Sequence, residues 1–285
     1  MRILVTGCNG QLGNTLRDRQ HHYPRHQWFN TDVAELDITD KAAVERYVQD
    51  HQIEGIVNCA AYTAVDRAED DLERATLLNV TGPAILAEVI ERQGGWLIHI
   101  STDYVFDGNH STPYTEEEPT HPMSVYGRTK RQAEEDVTER CRQSVIIRTA
   151  WLYSEYGNNF VKTMLRLGRE RELLKVVYDQ VGTPTYAGDL ADAILHIIEK
   201  GIIAGIYHYT DEGVASWYDF TKTIHHMAEI SACEVLPIRS SEYPTKAHRP
   251  SFSVLDKQKI KSTYNIHIPY WKDSLRHCLS LLKEE

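Results

Sequence analysis

The chain has 285 residues, enough to bury a large core and to form one large domain or two moderate ones. Hydrophobic residues make up 41% of it and charged residues 25%, proportions that exclude a disordered chain and fit a globular protein. The formal net charge of -10 argues against binding to nucleic acid, because neutralising a phosphate backbone requires a basic surface.

Short apolar runs alternate with helical stretches through the first half of the chain. The apolar runs predict five buried strands, at residues 2–6, 27–31, 55–59, 96–100 and 144–148. The stretches between them predict helices at residues 11–19, 40–51, 86–90 and 126–141. Continuous apolar strands that alternate with helices are typical of parallel sheets covered on both faces. The predicted fold class is therefore α/β, a Rossmann-type doubly wound parallel sheet.

The pattern becomes less regular after about Thr149, where tyrosine, proline and loop residues are more frequent. Helical stretches remain at residues 189–199 and 217–227. We therefore predict a first domain over residues 1–151 and a smaller C-terminal α+β lobe, mainly residues 152–285. Some segments of the second half are expected to return to the first domain.

Three glycines, Gly7, Gly10 and Gly13, lie between the first strand and the first helix. The first permits a tight turn, the second lets the backbone approach a pyrophosphate, and the third allows the helix to pack closely on the strand. The helix N-terminus then offers N–H groups and a partial positive charge to phosphates. A plain strand-to-helix turn is the alternative, but the position directly after the first strand favours a dinucleotide. The first domain is thus predicted to bind NAD or NADP.

Asp32 ends the second strand, where a carboxylate can accept hydrogen bonds from the adenosine ribose of NAD. A solvated loop aspartate is the alternative. No arginine is placed to clamp a 2′-phosphate, although Asn30 and Thr31 could still bind one by hydrogen bonds, so the cofactor is NADH or NADPH. Asp37 and Ile38 follow at a spacing that would bracket the adenine with a polar edge and an apolar face.

The chemistry is predicted to depend on Tyr126 and Lys130, which share one face of a helix because they are four residues apart. A phenol has a pKa of about 10, and positive charge from Lys130 and an oxidised nicotinamide is expected to lower it. Lys130 is also expected to hold the ribose hydroxyls of the cofactor. In reduction, hydride reaches a carbonyl carbon while Tyr126 protonates the oxygen. Thr102, which ends the fourth strand, is placed to donate a hydrogen bond to the same oxygen.

An exposed tyrosine beside a solvated lysine is the alternative interpretation of this pair. Three features occur in order along the chain: the glycine loop, a strand that ends in Ser-Thr-Asp, and the Tyr–Lys pair. Their combination favours a catalytic site, and it leaves the C-terminal lobe to bind the substrate.

At these residues the chain resembles the dTDP-4-dehydrorhamnose reductase family of extended short-chain dehydrogenases/reductases. The resemblance extends along almost the whole chain. In the first half it includes residues 57–66, 101–106 and 125–130, which many reductases share. Segments more specific to the family lie in the second half, at residues 148–153, 157–164, 179–185 and 249–250. The resemblance implies reduction of the 4-keto group of dTDP-4-dehydro-L-rhamnose by NADH or NADPH, to give dTDP-L-rhamnose.

The resemblance also implies which residues contact the ligands. Cofactor contacts are implied at Gly10, Gln11, Leu12, Asp32, Asp37, Ile38, Ala61, Tyr62 and Thr63, and Ala60 belongs to the small residues that leave room for the cofactor. Sugar contacts are implied at Thr102, Asp103, Tyr126 and Trp151, although core packing is an alternative for the tryptophan.

We add Asn159, Lys162 and Arg249 as candidates for the substrate diphosphate, since an Arg fork suits phosphate oxygens. Each of the three could instead be a surface residue or a hydrogen-bonding residue of the core.

The chain departs from the family at the positions that would hold a metal. Some members dimerise around a divalent cation bound by glutamates, one of them just after the glycine loop. Here the corresponding stretches read Asn-Thr-Leu at residues 14–16 and Ala-Gly-Asp at residues 187–189. We therefore do not carry the metal site over to this chain, the sequence does not support Mg²⁺ as a cofactor, and we expect either a monomer or a homodimer.

Two other functions fit the same fold. One is another reductase, an epimerase or a dehydratase acting on a nucleotide sugar, but dehydratases commonly carry Asp-Glu after the strand-4 threonine, where this chain has Asp103 and Tyr104. The other is a non-catalytic relative that binds a partner enzyme. The presence of Thr102, Tyr126 and Lys130 together argues against it, because a scaffold has no chemical need for all three.

The five cysteines are odd in number and show no C-x-x-C spacing, so neither a disulfide framework nor a zinc site is expected. No apolar run approaches the roughly 20 residues needed to span a bilayer, and the N-terminus does not resemble a signal peptide. We therefore expect a cytoplasmic protein without membrane contact.

Overall fold

Six parallel strands form the central sheet in a computed structural model that describes residues 1–283. The predicted C-terminal lobe, residues 152–285, therefore extends two residues beyond the described part. The strands of the described residues are β1 (Arg2–Thr6), β2 (Gln27–Thr31), β3 (Gly55–Asn58), β4 (Trp96–Thr102), β5 (Ser144–Thr149), β6 (Leu152–Tyr153), β7 (Leu173–Val177), β8 (Val181–Gly182), β9 (Thr185–Tyr186), β10 (Gly205–His208), β11 (Ala215–Ser216) and β12 (Glu234–Ile238).

Helices connect these strands and cover them. They are α1 (Gln11–Arg19), α2 (Lys41–Asp50), α3 (Val65–Ala68), α4 (Leu72–Thr76), α5 (Gly82–Arg92), α6 (Val125–Arg140), α7 (Phe160–Glu170), α8 (Ala187–Lys200), α9 (Trp217–Met227), α10 (Gln258–Tyr264) and α11 (Trp271–Lys283). A π-helical turn, Leu77–Thr81, joins α4 to α5. Within residues 1–283, no helix has the length and apolar character needed to cross a membrane.

The sheet has the strand order β10-β5-β4-β3-β1-β2, and every pair in it is parallel. This confirms the predicted α/β class with a parallel sheet. The five predicted strands are all present, and a sixth, β10, comes from the second half of the chain and pairs with β5. The carboxyl ends of β1, β3, β4 and β5 therefore lie along one edge, where ligands bind in open α/β sheets.

The side chains of successive strand residues pack into two separate hydrophobic cores, one on each face of the sheet, because side chains alternate between the faces. Ile3 and Val5 of β1 pack with buried residues of α1 and α8 on one face. Leu4, between them, packs with buried residues of α2, α5 and α6 on the other. The sheet is thus covered by helices on both sides, as its continuous apolar strands predict.

A third hydrophobic core lies in the C-terminal half. It brings together buried side chains from β7, α7, α9, β12 and α11, including Met164, Phe220, Ile224 and Leu275. Its strands form small two-stranded pairs, among them the parallel pair β7 and β12. This core packs helices against short strands, as expected for the predicted α+β lobe.

Candidate active site

The glycine loop between β1 and α1 requires glycine at two of its three positions. Gly7 has a φ of 66°, and a Cβ there would lie 2.7 Å from Cα of Ala60. A Cβ at Gly13 would lie 2.3 Å from the carbonyl oxygen of Gly7, so the first turn of α1 packs directly on the loop. Gly10 is less crowded, since its Cβ would lie 3.3 Å from that same oxygen. The loop therefore has the tight turn and the close packing predicted for it.

The N-terminus of α1 is open toward the sheet edge. Gly10 is its N-cap residue, with extended backbone and no side chain to bond the first N–H groups of the helix. Asp32 lies beside the loop at the end of β2, and its carboxylate accepts hydrogen bonds from the backbone N–H groups of Asn9 (3.0 Å) and Val33 (2.8 Å). These contacts hold the loop and the predicted ribose-binding carboxylate in one rigid unit.

Four further residues predicted to contact the cofactor differ in exposure: two lie on α1 and two lie in the loop after β2. Leu12 is buried in the core, whereas Gln11 accepts hydrogen bonds from Ser154 (3.2 Å) and Asn159 (3.0 Å) of the second half. Asp37 is exposed, and Ile38 is 5% exposed and packs close to the backbone of Gly82.

The loop after β3 packs against the glycine loop, since Ala60 lies next to Gly7. Ala60 donates its N–H to the side chain of Asn58 at the end of β3 (3.1 Å). Tyr62 exchanges two backbone hydrogen bonds with the side chain of Asn79 (2.8 and 3.2 Å). Ala61 is half-buried and Thr63 is exposed, so this loop offers small, accessible residues at the sheet edge.

Lys130 lies on α6 with its side chain buried against β4. Its Nζ donates a hydrogen bond of 2.6 Å to the carbonyl oxygen of Ile100 and lies 3.2 Å from Nε2 of His99. Only 2% of the residue is exposed. Burial lowers the pKa of Lys130 to about 8, against opposing effects of Glu134 and Cys59. The amine is therefore charged at neutral pH and titrates slightly above it.

Tyr126 lies one helical turn before Lys130 and is half-buried. In the protein itself, desolvation raises the pKa of its phenol, and the hydrogen bond with Thr102 opposes this effect. The lowering predicted from Lys130 together with an oxidised nicotinamide stays a prediction, and in the protein alone burial is the largest influence on the pKa of the phenol. The ring of Tyr104 packs edge-on against it, with the centroids 5.6 Å apart. The protonated phenol is the form that a proton donor requires.

Thr102 and Asp103 complete this cluster at the end of β4. The hydroxyl of Thr102 donates to Oδ1 of Asp103 over 3.0 Å, and accepts from the backbone N–H of Tyr104. Asp103 is 2% exposed, and burial raises its pKa to about 6. Its Oδ2 is buried and makes no hydrogen bond of normal geometry within residues 1–283, but the side chain of Ser253 lies close enough to oppose the rise in pKa. Keeping a carboxylate in this state costs stability, and such a residue is a candidate for a functional role.

Trp151 follows β5 in a conformation that few non-glycine residues adopt, with a φ of 50°. Its ring stacks on Trp217 of α9 with the centroids 3.4 Å apart and the planes 6° from parallel. Trp217 in turn donates a hydrogen bond to Gln180 (3.2 Å). The residue is half-buried and packs against the core of the C-terminal half, which favours the core-packing alternative, and its role in sugar binding stays a prediction.

Arg249 lies near the catalytic cluster. Its guanidinium donates to the hydroxyl of Tyr104 (3.2 Å) and forms an ion pair with Asp66 (2.7 Å). Together with Trp217 and Gln180 it lines a cleft of about 810 Å³. Its guanidinium is thus shared between two side chains, and its role in binding the substrate diphosphate stays a prediction.

The other two diphosphate candidates are placed differently. Asn159 is the N-cap of α7, and its amide also donates to Gln11 and to the carbonyl oxygen of Ser154 (2.7 Å). Lys162 donates to the carbonyl oxygen of Glu155 (2.9 Å) and lines a different depression, next to Leu282 of α11. These contacts favour the alternative that both residues are structural hydrogen-bonding residues, and their role in phosphate binding stays a prediction.

Three buried polar residues of the site were not singled out as site residues from the sequence: Asn58, Asn79 and His99. Each interrupts an apolar stretch, which is the signal that could have drawn attention to it. In residues 1–283, no three His, Cys, Asp or Glu side chains form a group able to hold a metal ion.

Comparison with known proteins agrees with this geometry. The family model for the RmlD substrate binding domain matches residues 1–284. The chain belongs to the RmlD substrate binding domain family. The RmlD family membership confirms the resemblance stated from the sequence.

Relatives and solved structures within and around the RmlD family match along the whole chain. The dTDP-4-dehydrorhamnose reductase of Aggregatibacter actinomycetemcomitans is 42% identical over 286 residues, with 97% of each protein covered. A crystal structure of a dTDP-4-dehydrorhamnose reductase from Clostridium acetobutylicum has a TM-score of 0.96 and 40% identity, covering 99% of this chain and 100% of that one. A structure of a dTDP-4-dehydrorhamnose reductase from Bacillus anthracis in complex with NADP has a TM-score of 0.95 and 37% identity, and the match covers 98% of this chain and 99% of that one.

Proposed function

We propose that this chain is an NAD(P)H-dependent oxidoreductase that reduces the 4-keto group of dTDP-4-dehydro-L-rhamnose to give dTDP-L-rhamnose. The observation that carries the proposal is the cluster of Tyr126, Lys130, Thr102 and Asp103 at the carboxyl edge of the sheet. The full-length similarity to dTDP-4-dehydrorhamnose reductases supports the choice of substrate.

The residues of the glycine loop fit a dinucleotide. Glycine at positions 7 and 13 lets the loop turn tightly and α1 pack directly on it, and the N-terminus of α1 offers N–H groups to a pyrophosphate. Asp32 and the loop at residues 60–63 would hold the ribose and nicotinamide portions. When bound, the reduced cofactor supplies the hydride. The similarity to a reductase in complex with NADP supports NADPH, as well as NADH, as the hydride donor.

The protein side chains then handle the proton. Tyr126 is protonated at neutral pH because desolvation raises the pKa of its phenol. As the keto oxygen gains negative charge, the phenol hydroxyl gives its proton to that oxygen and becomes a phenolate. The Lys130 ammonium, one helical turn away, stabilises that phenolate. The hydroxyl of Thr102 donates a hydrogen bond to Asp103, and this bond holds the Thr102 hydroxyl beside the phenol of Tyr126.

The binding of the sugar nucleotide is assigned to the second half. Trp151, stacked on Trp217, offers an aromatic face to the sugar, and Arg249 offers a guanidinium to the diphosphate. In this proposal residues 1–151 hold the cofactor and residues 152–285 mainly hold the substrate, with β10 returned to the cofactor domain. The protein would act as a monomer or homodimer. Its five free cysteines fit the reducing environment of the cytoplasm.

One assay tests this function. Purified protein is mixed with NADH or NADPH, each separately, and with dTDP-4-dehydro-L-rhamnose, and cofactor oxidation is followed by absorbance. We expect oxidation that depends on the sugar nucleotide and that is lost in the Lys130→Met variant. Equal rates with simple ketones would contradict the substrate assignment. No oxidation with any carbonyl compound would favour the non-catalytic binding function.

A further inference from the structure

A chain of buried polar side chains lies behind the catalytic lysine. It runs from Thr6 on β1 through Asn58 on β3 and His99 on β4 to Lys130 on α6. The exposed fractions of these residues are 1%, 0%, 0% and 2%, so their hydrogen bonds are made among themselves and with neighbouring backbone. The mechanism above uses only the last of the four.

The side-chain amide of Asn58 has one orientation that satisfies its neighbours. The backbone N–H of Ala60 can only donate, and it lies 3.1 Å from Oδ1. The hydroxyl of Thr6 donates to the same oxygen over 2.7 Å. The Nδ2 group of Asn58 therefore faces His99, where it lies 3.0 Å from Nδ1 of the ring. Because Nδ2 is a donor, Nδ1 of His99 is the acceptor.

This contact determines where His99 carries its proton. The ring is fully buried, and burial together with the neighbouring Lys130 holds its pKa well below the usual value, so it is neutral. A neutral imidazole has one N–H, and with Nδ1 accepting from Asn58 the proton is on Nε2. That nitrogen lies 3.2 Å from Nζ of Lys130.

We propose that Asn58 and His99 are positioning residues for Lys130: Asn58 fixes the tautomer of His99 that directs the Nε2–H toward the lysine amine, and this donor disfavours the ammonium form. The Nε2–H group can donate a hydrogen bond to the lone pair of a neutral amine. An ammonium group has no lone pair, so two hydrogen-bond donors would then face each other. The inference deepens the proposed function, because it sets the pH at which the lysine of that site loses its charge.

The other groups around Lys130 do not select the neutral form in this way. The carbonyl oxygen of Ile100 accepts a hydrogen bond from either form of the amine. Glu134, one turn further along α6, favours the ammonium but is itself bonded to Arg148 (2.7 Å). Cys59, after β3, also favours the ammonium. Tyr126 shares the helix face one turn earlier and is uncharged at neutral pH. Apart from burial itself, the His99 N–H is thus the contact that opposes the charge.

The first experiment measures the tautomer in the cofactor-free protein. Long-range ¹H–¹⁵N NMR spectra of the histidine rings distinguish a protonated from a bare ring nitrogen, and the signals of His99 are assigned by their loss in His99→Phe. We expect a protonated Nε2 and a bare Nδ1 between about pH 6 and 9. A proton on Nδ1 of the wild-type ring would overturn the proposal.

The second experiment reverses the contact with an isosteric change. In Asn58→Asp the carboxylate still accepts from Ala60 and Thr6, but it now accepts from His99 as well, which moves the ring proton to Nδ1. The bare Nε2 then accepts from the Lys130 ammonium. We expect the NMR spectrum to show the exchanged tautomer and the alkaline limb of the pH profile of kcat to move upward by about one unit.

His208 provides the matched control, since it is a second fully buried histidine of the same sheet, bonded to Tyr114 and Arg148 rather than to Lys130. His208→Phe should leave the alkaline limb in place. If Nε2 keeps its proton in Asn58→Asp, or if the limb does not move, the proposal is wrong. The NMR result needs neither cofactor nor sugar, so it decides the tautomer even if the proposed reaction is not observed.

Discussion

The side-chain amide of Asn79 donates a hydrogen bond of 3.1 Å to the hydroxyl of Thr129, the neighbour of Lys130 on α6. The same side chain bonds both backbone groups of Tyr62. One fully buried residue thus joins the loop assigned to the cofactor to the helix that carries the catalytic pair. Its position in a π-helical turn places the amide between the two.

Replacing Asn79 with leucine should destabilise the protein. The substitution leaves the backbone groups of Tyr62 buried without partners, which costs about 1–3 kcal/mol in the free energy of unfolding. Urea unfolding followed by circular dichroism measures the loss. Asn158→Leu, at an exposed position after β6, is the control and should unfold at the wild-type midpoint. Equal midpoints for both variants would show that the Asn79 contacts are not important for stability.

Tyr126→Phe should remove most turnover without preventing cofactor binding. Loss of the proton donor is expected to lower kcat by a factor of about 10²–10⁴, because the hydroxyl contributes in the transition state. Cofactor oxidation measures turnover, and protein fluorescence titrated with NADPH measures binding. Tyr270→Phe, a change at an exposed ring far along the chain, should alter neither. Binding lost together with turnover would mean that the phenol has a structural role.

Asp103→Asn should stabilise the protein at neutral pH. The pKa of this carboxyl is raised by burial from 3.8 in the unfolded chain to about 6 in the folded one. The folded state therefore binds more protons than the unfolded state between these values, and stability falls as the pH rises through them. Above pH 6 the full cost is present, and the difference corresponds to about 3 kcal/mol.

Thermal unfolding of both proteins at pH 4 and at pH 7.5 measures this effect. The variant should gain little at pH 4, where the wild-type carboxyl is protonated in the folded state, and should have the higher Tm at pH 7.5. The same gain at both pH values would contradict the assigned cause. Turnover should fall in the variant despite its greater stability, since the buried charge is retained for function.

Treatment with a chelator should leave both activity and assembly unchanged. The sequence lacks the glutamates that hold a cation in some relatives, and residues 1–283 contain no cluster of metal-binding side chains. Light scattering during size-exclusion chromatography, with and without EDTA, should report the same mass, either one or two copies of the 32.7 kDa chain. A change in mass or in the rate of cofactor oxidation would reveal a metal that the sequence does not predict.

Local sequence patterns were sufficient for five of the six strands of the central sheet and for the helices α1, α2, α5, α6 and α8 that cover it. The bounds of β1, β2, α1 and α9 agree with the prediction residue for residue. The strand β10 was missed. It has only four residues, Gly205–His208, and it becomes a strand by pairing with β5, about 60 positions earlier in the chain.

The sequence by itself determined the residue types of the site and their local spacing: the glycines of the loop, and a phenol and an amine one helical turn apart. The tertiary structure decided what surrounds them. His99 contacts Lys130, which lies 31 positions later in the chain, and Asn79 bonds to Thr129, which lies 50 positions later. Burial by those elements raises the pKa of Tyr126 and Asp103 and lowers that of Lys130. Desolvation depends on every neighbour in space, and a pattern read along the chain contains no information on which distant residues those will be.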